Sequence, residues 1–226
     1  MNELAKLYQI RFSAEDRKRK DLVWEALCKY FFQQFIPLNT TVLEIACGYG
    51  EFVRHIHAAR KIAIDLNPES RDFLPTDVEF HTCDATSLDM LTDDSIDVCF
   101  SSNFFEHLPD KIAMDKVLSE ALRVLKPGGL YIAMQPNLRY EPGRYWDFYD
   151  HLLPLTHLSC YEAFEKAGLE VIKLIDRFVP FSTSSNLPQN PTFVRWYLSC
   201  RPLWRLLGGQ FLIIGRKPHL IISLNQ

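Results

Sequence analysis

Glu44-Ile45-Ala46-Cys47-Gly48-Tyr49-Gly50 sets a carboxylate and two glycines around a turn, between an apolar run and a helical stretch that opens near residue 51. Glycines let a backbone reverse direction close to a ligand. Asp65 closes the next apolar run, 21 residues after Glu44, where α/β nucleotide sites set a carboxylate against ribose hydroxyls. Asp84, followed by Ala85, closes the third run, and a carboxylate there can accept a hydrogen bond from an exocyclic adenine amine. The dinucleotide pattern GxGxxG is incomplete, because Val53 occupies the place of the third glycine. Glu44 would also repel a diphosphate but suits a ligand carrying amine and sulfonium charge. A nicotinamide-dependent oxidoreductase is therefore the weaker reading.

These acids need a scaffold that brings strand ends together. Short apolar runs, TVLEIA (41–46), KIAIDL (61–66), VEFHTC (78–83), IDVCFS (96–101) and LYIAMQ (130–135), alternate with helical stretches. That alternation predicts a parallel sheet, and runs apolar on both alternations predict helices on both faces. LEVIKLI (169–175) and QFLIIGR (210–216) read as two last strands. Val23, Leu27, Tyr30, Phe31 and Phe35 recur at helical spacing ahead of the first strand, so residues 1–38 read as an N-terminal helical lid, with Tyr8 and Arg11 as lid contacts. Ile112, Met114, Val117, Leu118, Leu122 and Leu125 place a further helix at about 110–125, stopped by Lys126-Pro127-Gly128-Gly129. Segments 137–157 and 177–209 are longer than ordinary connections and read as substrate-side insertions in one domain spanning 1–226.

VLEIACGYG, IDLN, HTCDATSLD, IDVCFSSNFFEHLPD and LKPGGLYIA together resemble the consecutive motifs of class I S-adenosylmethionine-dependent methyltransferases, over roughly residues 40–136. The resemblance implies a doubly wound, Rossmann-like seven-stranded sheet, mostly parallel with a C-terminal antiparallel hairpin, and S-adenosylmethionine as cofactor. By position, Glu44, Ala46, Cys47, Gly48 and Gly50 would form the cofactor loop. Asp65 and Leu66 would flank the ribose, Asp84 and Ala85 the adenine, and Ser102 and Asn103 the methionine moiety. Cys47 stands where the family usually has glycine.

Methyl transfer from a sulfonium is an in-line displacement, which asks for alignment, exclusion of water and a proton acceptor when the acceptor atom is a hydroxyl oxygen. Asp150-His151, with His107, are the candidate catalytic residues. Tyr145, Trp146, Tyr149 and His157 are candidate substrate contacts, aromatic faces being suited to a sugar ring. The resemblance implies for Glu106-His107 a pair like the acids and histidine that bind a divalent metal in some quinone-biosynthesis relatives, and a capping pair before a helix opening at Pro109 is the alternative; Ser159 precedes a short helix, CYEAFEKAG. The sequence Ser102-Asn103-Phe104-Phe105 lacks the double proline of base-amine methyltransferases. A hydroxyl-bearing small molecule or glycan is therefore the expected acceptor. A catalytically silent scaffold of the same fold, with its cleft blocked by 137–156, is the alternative from a different class.

The six cysteines form no CxxC pair and no metal-ligand spacing, so reduced thiols and no metal site are expected. The charged N-terminal stretch and the absence of an 18-residue apolar run imply neither export nor a membrane span, hence a cytoplasmic location. Net charge is −3, yet the last acid is Asp176: the final fifty residues carry +6 and the rest −9. Six positive charges without a binding motif are too few for a nucleic-acid footprint. Arg195, Arg201 and Arg205 among Phe193, Trp196, Tyr197 and Trp204 instead suggest a cover over the acceptor cleft or a homodimer surface, ahead of a peripheral membrane contact through 191–207.

Overall fold

The computed structural model describes residues 13–180 and 190–219; Tyr8 and Arg11 lie outside these. Helix α1 (Ala14–Tyr30) precedes β1 (Thr41–Ile45), α2 (Glu51–His55), β2 (Arg60–Asp65), β3 (Val78–Thr82), β4 (Ile96–Ser102), α3 (Lys111–Val124) and β5 (Leu125–Pro136). Then come α4 (His157–Ala167), β6 (Glu170–Ile175), α5 (Pro191–Ser199), α6 (Arg201–Leu207) and β7 (Gln210–Arg216). The sheet order is β3-β2-β1-β4-β5-β7-β6. Strands β1 to β5 pair in parallel, and β7 runs antiparallel to both β5 and β6. This is the doubly wound seven-stranded sheet implied by the motifs. Chain order reverses between β1 and β4, which opens a crevice at the carboxyl ends of those strands.

Strand alternation sorts the core into two layers. Leu43, Ile45, Ile62, Ile64, Cys99, Tyr131 and Ala133 face one side and pack against Met114, Val117, Leu118 and Ala121 of α3 and Cys160 and Phe164 of α4. Val42, Val98, Phe100, Ile132, Met134, Leu212 and Ile214 face the other, beneath α1, α2, α5 and α6. On that second side Phe52 stacks on Phe100 with ring centroids 3.6 Å apart, while Trp24 and Phe32 meet Phe100 edge-on at 5.9 and 5.2 Å. The cluster seats α1 and α2 on the sheet beside the glycine loop. Ion pairs add to the seating: Lys20 with Glu51 at 3.0 Å, and Asp21 with Arg54 at 2.5 Å and His55 at 2.9 Å.

Several boundaries differ from expectation for local reasons. The N-terminal helix stops at Tyr30, and Phe32–Phe35 form a single 3-10 turn that tucks Phe32 into the core. The Lys126-Pro127-Gly128-Gly129 run does not precede the fifth strand but lies inside it, with a register shift between the Ile96 and Val98 pairings. The helix after His107 is capped by Asp110, whose side chain accepts from the Ala113 N–H at 2.8 Å, so Glu106-His107 is not its cap. Likewise Thr156 caps α4 and Ser159 completes the reciprocal capping box three residues on. Among the described residues no helix is long and apolar enough to cross a membrane.

Phe100 joins three aromatic partners with no exposed surface. Phe100→Ala is expected to cost about 3–5 kcal/mol, read as a lower urea midpoint at unchanged m-value, and Phe100→Leu to cost less.

Candidate functional site

Past the end of β1 the chain must turn sharply, and it does so through left-handed backbone at Ala46 (φ 56°), Gly48 (φ 55°) and Gly50 (φ 70°). A side chain at Gly50 would also place its Cβ 2.0 Å from Leu74. Cys47 needs no such freedom, which is why a cysteine is tolerated there. Its side chain is buried against Val53, Ala63, Leu74 and Val78, its N–H donates to Ile64 O at 3.0 Å, and its carbonyl accepts from Gly50. Asn103, just beyond β4, is also left-handed (φ 48°). Of the three non-glycine residues with positive φ among those described, two stand at this crevice, where such backbone strain commonly marks a working site.

Carboxylates hold the turns together. Asp65 accepts from the Gly48 N–H and the Asn67 N–H, each at 2.8 Å. Glu44 shares the face of Val42 and accepts from the Val53 N–H at 3.0 Å. That contact occupies an N-terminal amide of α2, the type of group a dinucleotide diphosphate would need, and so argues structurally against a nicotinamide cofactor. Asp84 accepts from Thr86 N–H at 2.8 Å, fixing the turn after β3. Burial raises the Glu44 carboxyl well above its ordinary value; the Val53 N–H opposes this, and the Glu51 and Asp65 charges add to it. Asp65 is raised by burial too, against the pull of its backbone donors.

A cavity of about 970 Å³ opens over these strand ends, near the upper end of the roughly 300–1,000 Å³ usual for ligand sites. Its wall includes Glu44, Ala46, Cys47, Gly48, Asp65 and Leu66, then Asp84, Ala85, Ser102 and Asn103. Gly50 alone of the loop candidates lies behind the wall, where it shapes the turn. The wall also carries Glu106, His107, Asp150 and His151. Helix α1 contributes Asp16, Lys20, Val23, Trp24 and Leu27, and α5 contributes Phe193, Val194 and Tyr197. The 137–156 insertion therefore borders the cleft and leaves it open.

That insertion is fastened by its own bonds. Leu152 and Leu153 donate their N–H groups to the Glu106 carbonyl at 2.7 and 3.0 Å, and the Tyr145 hydroxyl donates to Leu153 O. His107 Nδ1 lies 3.2 Å from Asp150 Oδ2 and 3.1 Å from the Asp150 carbonyl. Asp150 thus faces His107, although His151 is its neighbour in sequence. His151 is buried between Phe148, stacked at 4.8 Å, and Tyr145 and His107, met edge-on at 4.9 and 5.0 Å. Burial lowers the His107 pKa, but the Asp150 hydrogen bond and the Glu106 and Asp150 charges more than offset it, leaving the ring raised overall.

The four expected substrate contacts do not reach the cavity wall. Tyr145 is wholly buried as an internal staple of the insertion, whereas Trp146 and Tyr149 are 53% and 92% exposed. The turn at Arg144–Asp147 sends these side chains outward. His157 sits at the start of α4, bonded to Asn137 Nδ2 at 3.0 Å and stacked on Tyr140, a structural post. Sequence reasoning passed over Phe148 and Trp24, which do line the cavity, whereas Tyr197 stood in the segment expected to cover it.

Residues 43–133 match the family model of a methyltransferase domain. Over this part the chain is similar to methyltransferase domains. The domain is similar to the 2-methyl-6-phytyl-1,4-hydroquinone methyltransferase of Synechocystis, at 32% identity over 124 residues, half of this chain and 38% of the relative. It is similar to an uncharacterized methyltransferase of Mycobacterium leprae at 30% identity over 54% of this chain and 44% of the relative. The chain thus spans well under two thirds of the length of these relatives. Among solved structures, a methyltransferase from Archaeoglobus fulgidus superimposes with a TM-score of 0.64 over 88% of this chain and 94% of the other, at 23% identity, a likeness of fold.

A carboxyl that binds its proton more tightly when folded stabilises fully below its ordinary pKa, and the contribution is lost as pH rises through the folded value. Stability of the methyltransferase domain should therefore fall as pH rises above the ordinary 4.5 of Glu44. Glu44→Gln removes that cost and is expected to be more stable than wild type at pH 8, with the difference shrinking towards pH 4, in urea titrations.

Proposed function

We propose that this chain transfers the methyl group of S-adenosylmethionine to a hydroxyl oxygen of a small-molecule or glycan acceptor. The observation that carries the reading is a single cavity lined both by Glu44, Asp65 and Asp84 at successive strand ends and by Glu106, His107, Asp150 and His151. The first set is acidic at positions suited to ammonium, ribose and adenine donors. The donor, when bound, supplies a methyl carbon whose bond to sulfur breaks, with the electron pair going to sulfur, as the acceptor oxygen bonds to that carbon.

The chain's own part is to position, dry and deprotonate. Asp65 and Glu44 keep the glycine turn in its left-handed course while presenting carboxylate oxygens to the ligand, and Asp84 does the same at the adenine end. Trp24 and Leu27 of α1 and Val194 and Tyr197 of α5 supply apolar wall that excludes water. The acceptor proton passes to one of the titratable groups on the wall, Asp150, His151 or His107. The 191–207 segment serves as a cover over the acceptor, since the inner face of α5 lines the cavity while Arg195 and Trp196 face solvent. The hydroquinone named for the Synechocystis relative supports a small molecule as acceptor.

Calorimetric titration with S-adenosylmethionine and S-adenosylhomocysteine, with NADH as control, tests the cofactor. Wild type is expected to bind both sulfur nucleotides saturably, and Asp65→Ala to bind them about 10- to 100-fold more weakly, the worth of one or two charge-assisted hydrogen bonds. A folded wild type that binds neither nucleotide overturns the proposal. In a screen of hydroxylated metabolites and glycans read by S-adenosylhomocysteine release, His151→Ala is expected to lower turnover about 100-fold or more while leaving nucleotide affinity within about twofold.

A further inference from the structure

The two helices between β6 and β7 turn opposite faces to the cavity and to solvent. On α5, Val194 and Tyr197 line the cavity, while Thr192, Arg195, Trp196 and Ser199 form an exposed stripe at helical spacing. On α6, Trp204 is buried, and Arg201, Arg205 and Leu206 are exposed. Trp196 is 56% and Leu206 70% exposed, large apolar side chains set among guanidinium groups. Trp204 Nε1 donates to Tyr197 O at 2.9 Å, and the Tyr197 hydroxyl donates to Phe178 O at 2.8 Å, so the two helices are fixed to one another and to the core. We propose that this outer face of residues 191–207 docks on the surface of an anionic lipid bilayer.

Charge selects the occupant. No aspartate or glutamate follows Asp176 in the sequence, and among the described residues Arg195, Arg201 and Arg205 take part in no ion pair. Arg195 instead lies 5.2 Å over the ring of Tyr30, with Lys29 5.5 Å from the same ring, so the end of α1 extends the basic surface. A second copy of the chain meeting this face about a two-fold axis would set the same arginines against each other. An anionic bilayer offers phosphate oxygens to the arginines and, directly beneath them, an interfacial layer that favours indole and leucine side chains. A nucleic acid would supply phosphates but no apolar layer for Leu206.

The docked face and the cavity share an edge. Phe193 lines the cavity, and its ring centroid lies 5.7 Å from that of Trp196, so one aromatic pair joins the cavity wall to the lipid-facing stripe. Docking therefore sets the cavity beside the bilayer. The consequence for the acceptor, which rests on the methyl-transfer reading, is that a hydroxyl-bearing molecule anchored in lipid enters along that edge.

The test uses the full-length, tag-free chain in co-sedimentation with vesicles of equal parts phosphatidylglycerol and phosphatidylcholine, and with vesicles of phosphatidylcholine alone. The chain is expected to sediment with the first and not with the second. It should be released as sodium chloride rises from about 0.1 to about 1 M, which shortens the screening length from about 10 to about 3 Å. Each of Arg195→Gln, Arg201→Gln and Arg205→Gln should weaken binding about fivefold, and the triple variant about 100-fold. Trp196→Ala should weaken it about tenfold and abolish a blue shift of tryptophan emission on the anionic vesicles, which Trp146→Phe leaves in place. Circular dichroism and S-adenosylhomocysteine calorimetry on the same variants check the fold and the nucleotide site. Nucleotide binding without sedimentation on anionic vesicles overturns the docking surface alone, as does sedimentation unchanged in the triple variant. Self-association, or capture of a DNA duplex, that the triple variant loses and that occurs without vesicle binding overturns it in favour of a second copy or a nucleic acid. Vesicle binding without nucleotide binding overturns the methyl-transfer reading and leaves the docking surface standing.

Discussion

The carboxylate of Asp65 ties two turns together. By accepting from Gly48 and from Asn67 it fastens the loop after β1 to the loop after β2, and the strand-end side of the cavity is arranged around that knot. Ala46, Gly48 and Gly50 take their left-handed course beneath it. Glu44 then bonds to the N-terminus of α2, and burial there raises its carboxyl well above the ordinary value. The pocket is thus held open at a cost in backbone strain and buried charge, both of which the surrounding core must offset.

That offset comes from the aromatic layer on one face of the sheet. Phe52 and Phe100 lie in parallel contact, and Trp24 and Phe32 close over them. Because Phe52 belongs to α2 and Trp24 to α1, the packing that stabilises the sheet also sets the height of the glycine turn and the position of a cavity wall. Phe31 extends the layer to Phe178 and Trp204, carrying the same core under the late insertion. Stability and site geometry are in this way one interaction network, with α1 serving as its edge.

The acceptor side is built differently. No strand end supplies its groups directly; a short turn after β4 and a long insertion after β5 meet through backbone hydrogen bonds to the Glu106 carbonyl. Side chains of the insertion alternate in duty. Tyr145 and Leu153 lock it internally, Trp146 and Tyr149 face solvent, and Phe148, Asp150 and His151 face the cavity. Three of the six positive charges after Asp176, at Arg195, Arg201 and Arg205, lie on the outer side of the cover, while Arg216 and Lys217 pair with Glu170 and Asp94.

What the sequence by itself determined is the sheet and the row of acids at its strand ends. Strands announce themselves by short apolar runs, and Glu44, Asp65 and Asp84 stand at the ends of those runs, so linear spacing reports spatial convergence whenever parallel strands align their carboxyl ends. Capping positions were less legible, since Asp110 and Thr156 compete locally with Glu106, His107 and Ser159 for the same role and only backbone geometry chooses between them. The acceptor side was decided by tertiary structure. Whether Tyr145 or Phe148 faces the cavity depends on a 3-10 turn with no apolar period to reveal it, and the approach of His151 to Glu106 and His107 depends on two carbonyl-directed hydrogen bonds across 46 residues of chain from Glu106 to Leu152. Residues that act through irregular loops are placed by contacts far away in sequence, and spacing along the chain carries no record of those contacts.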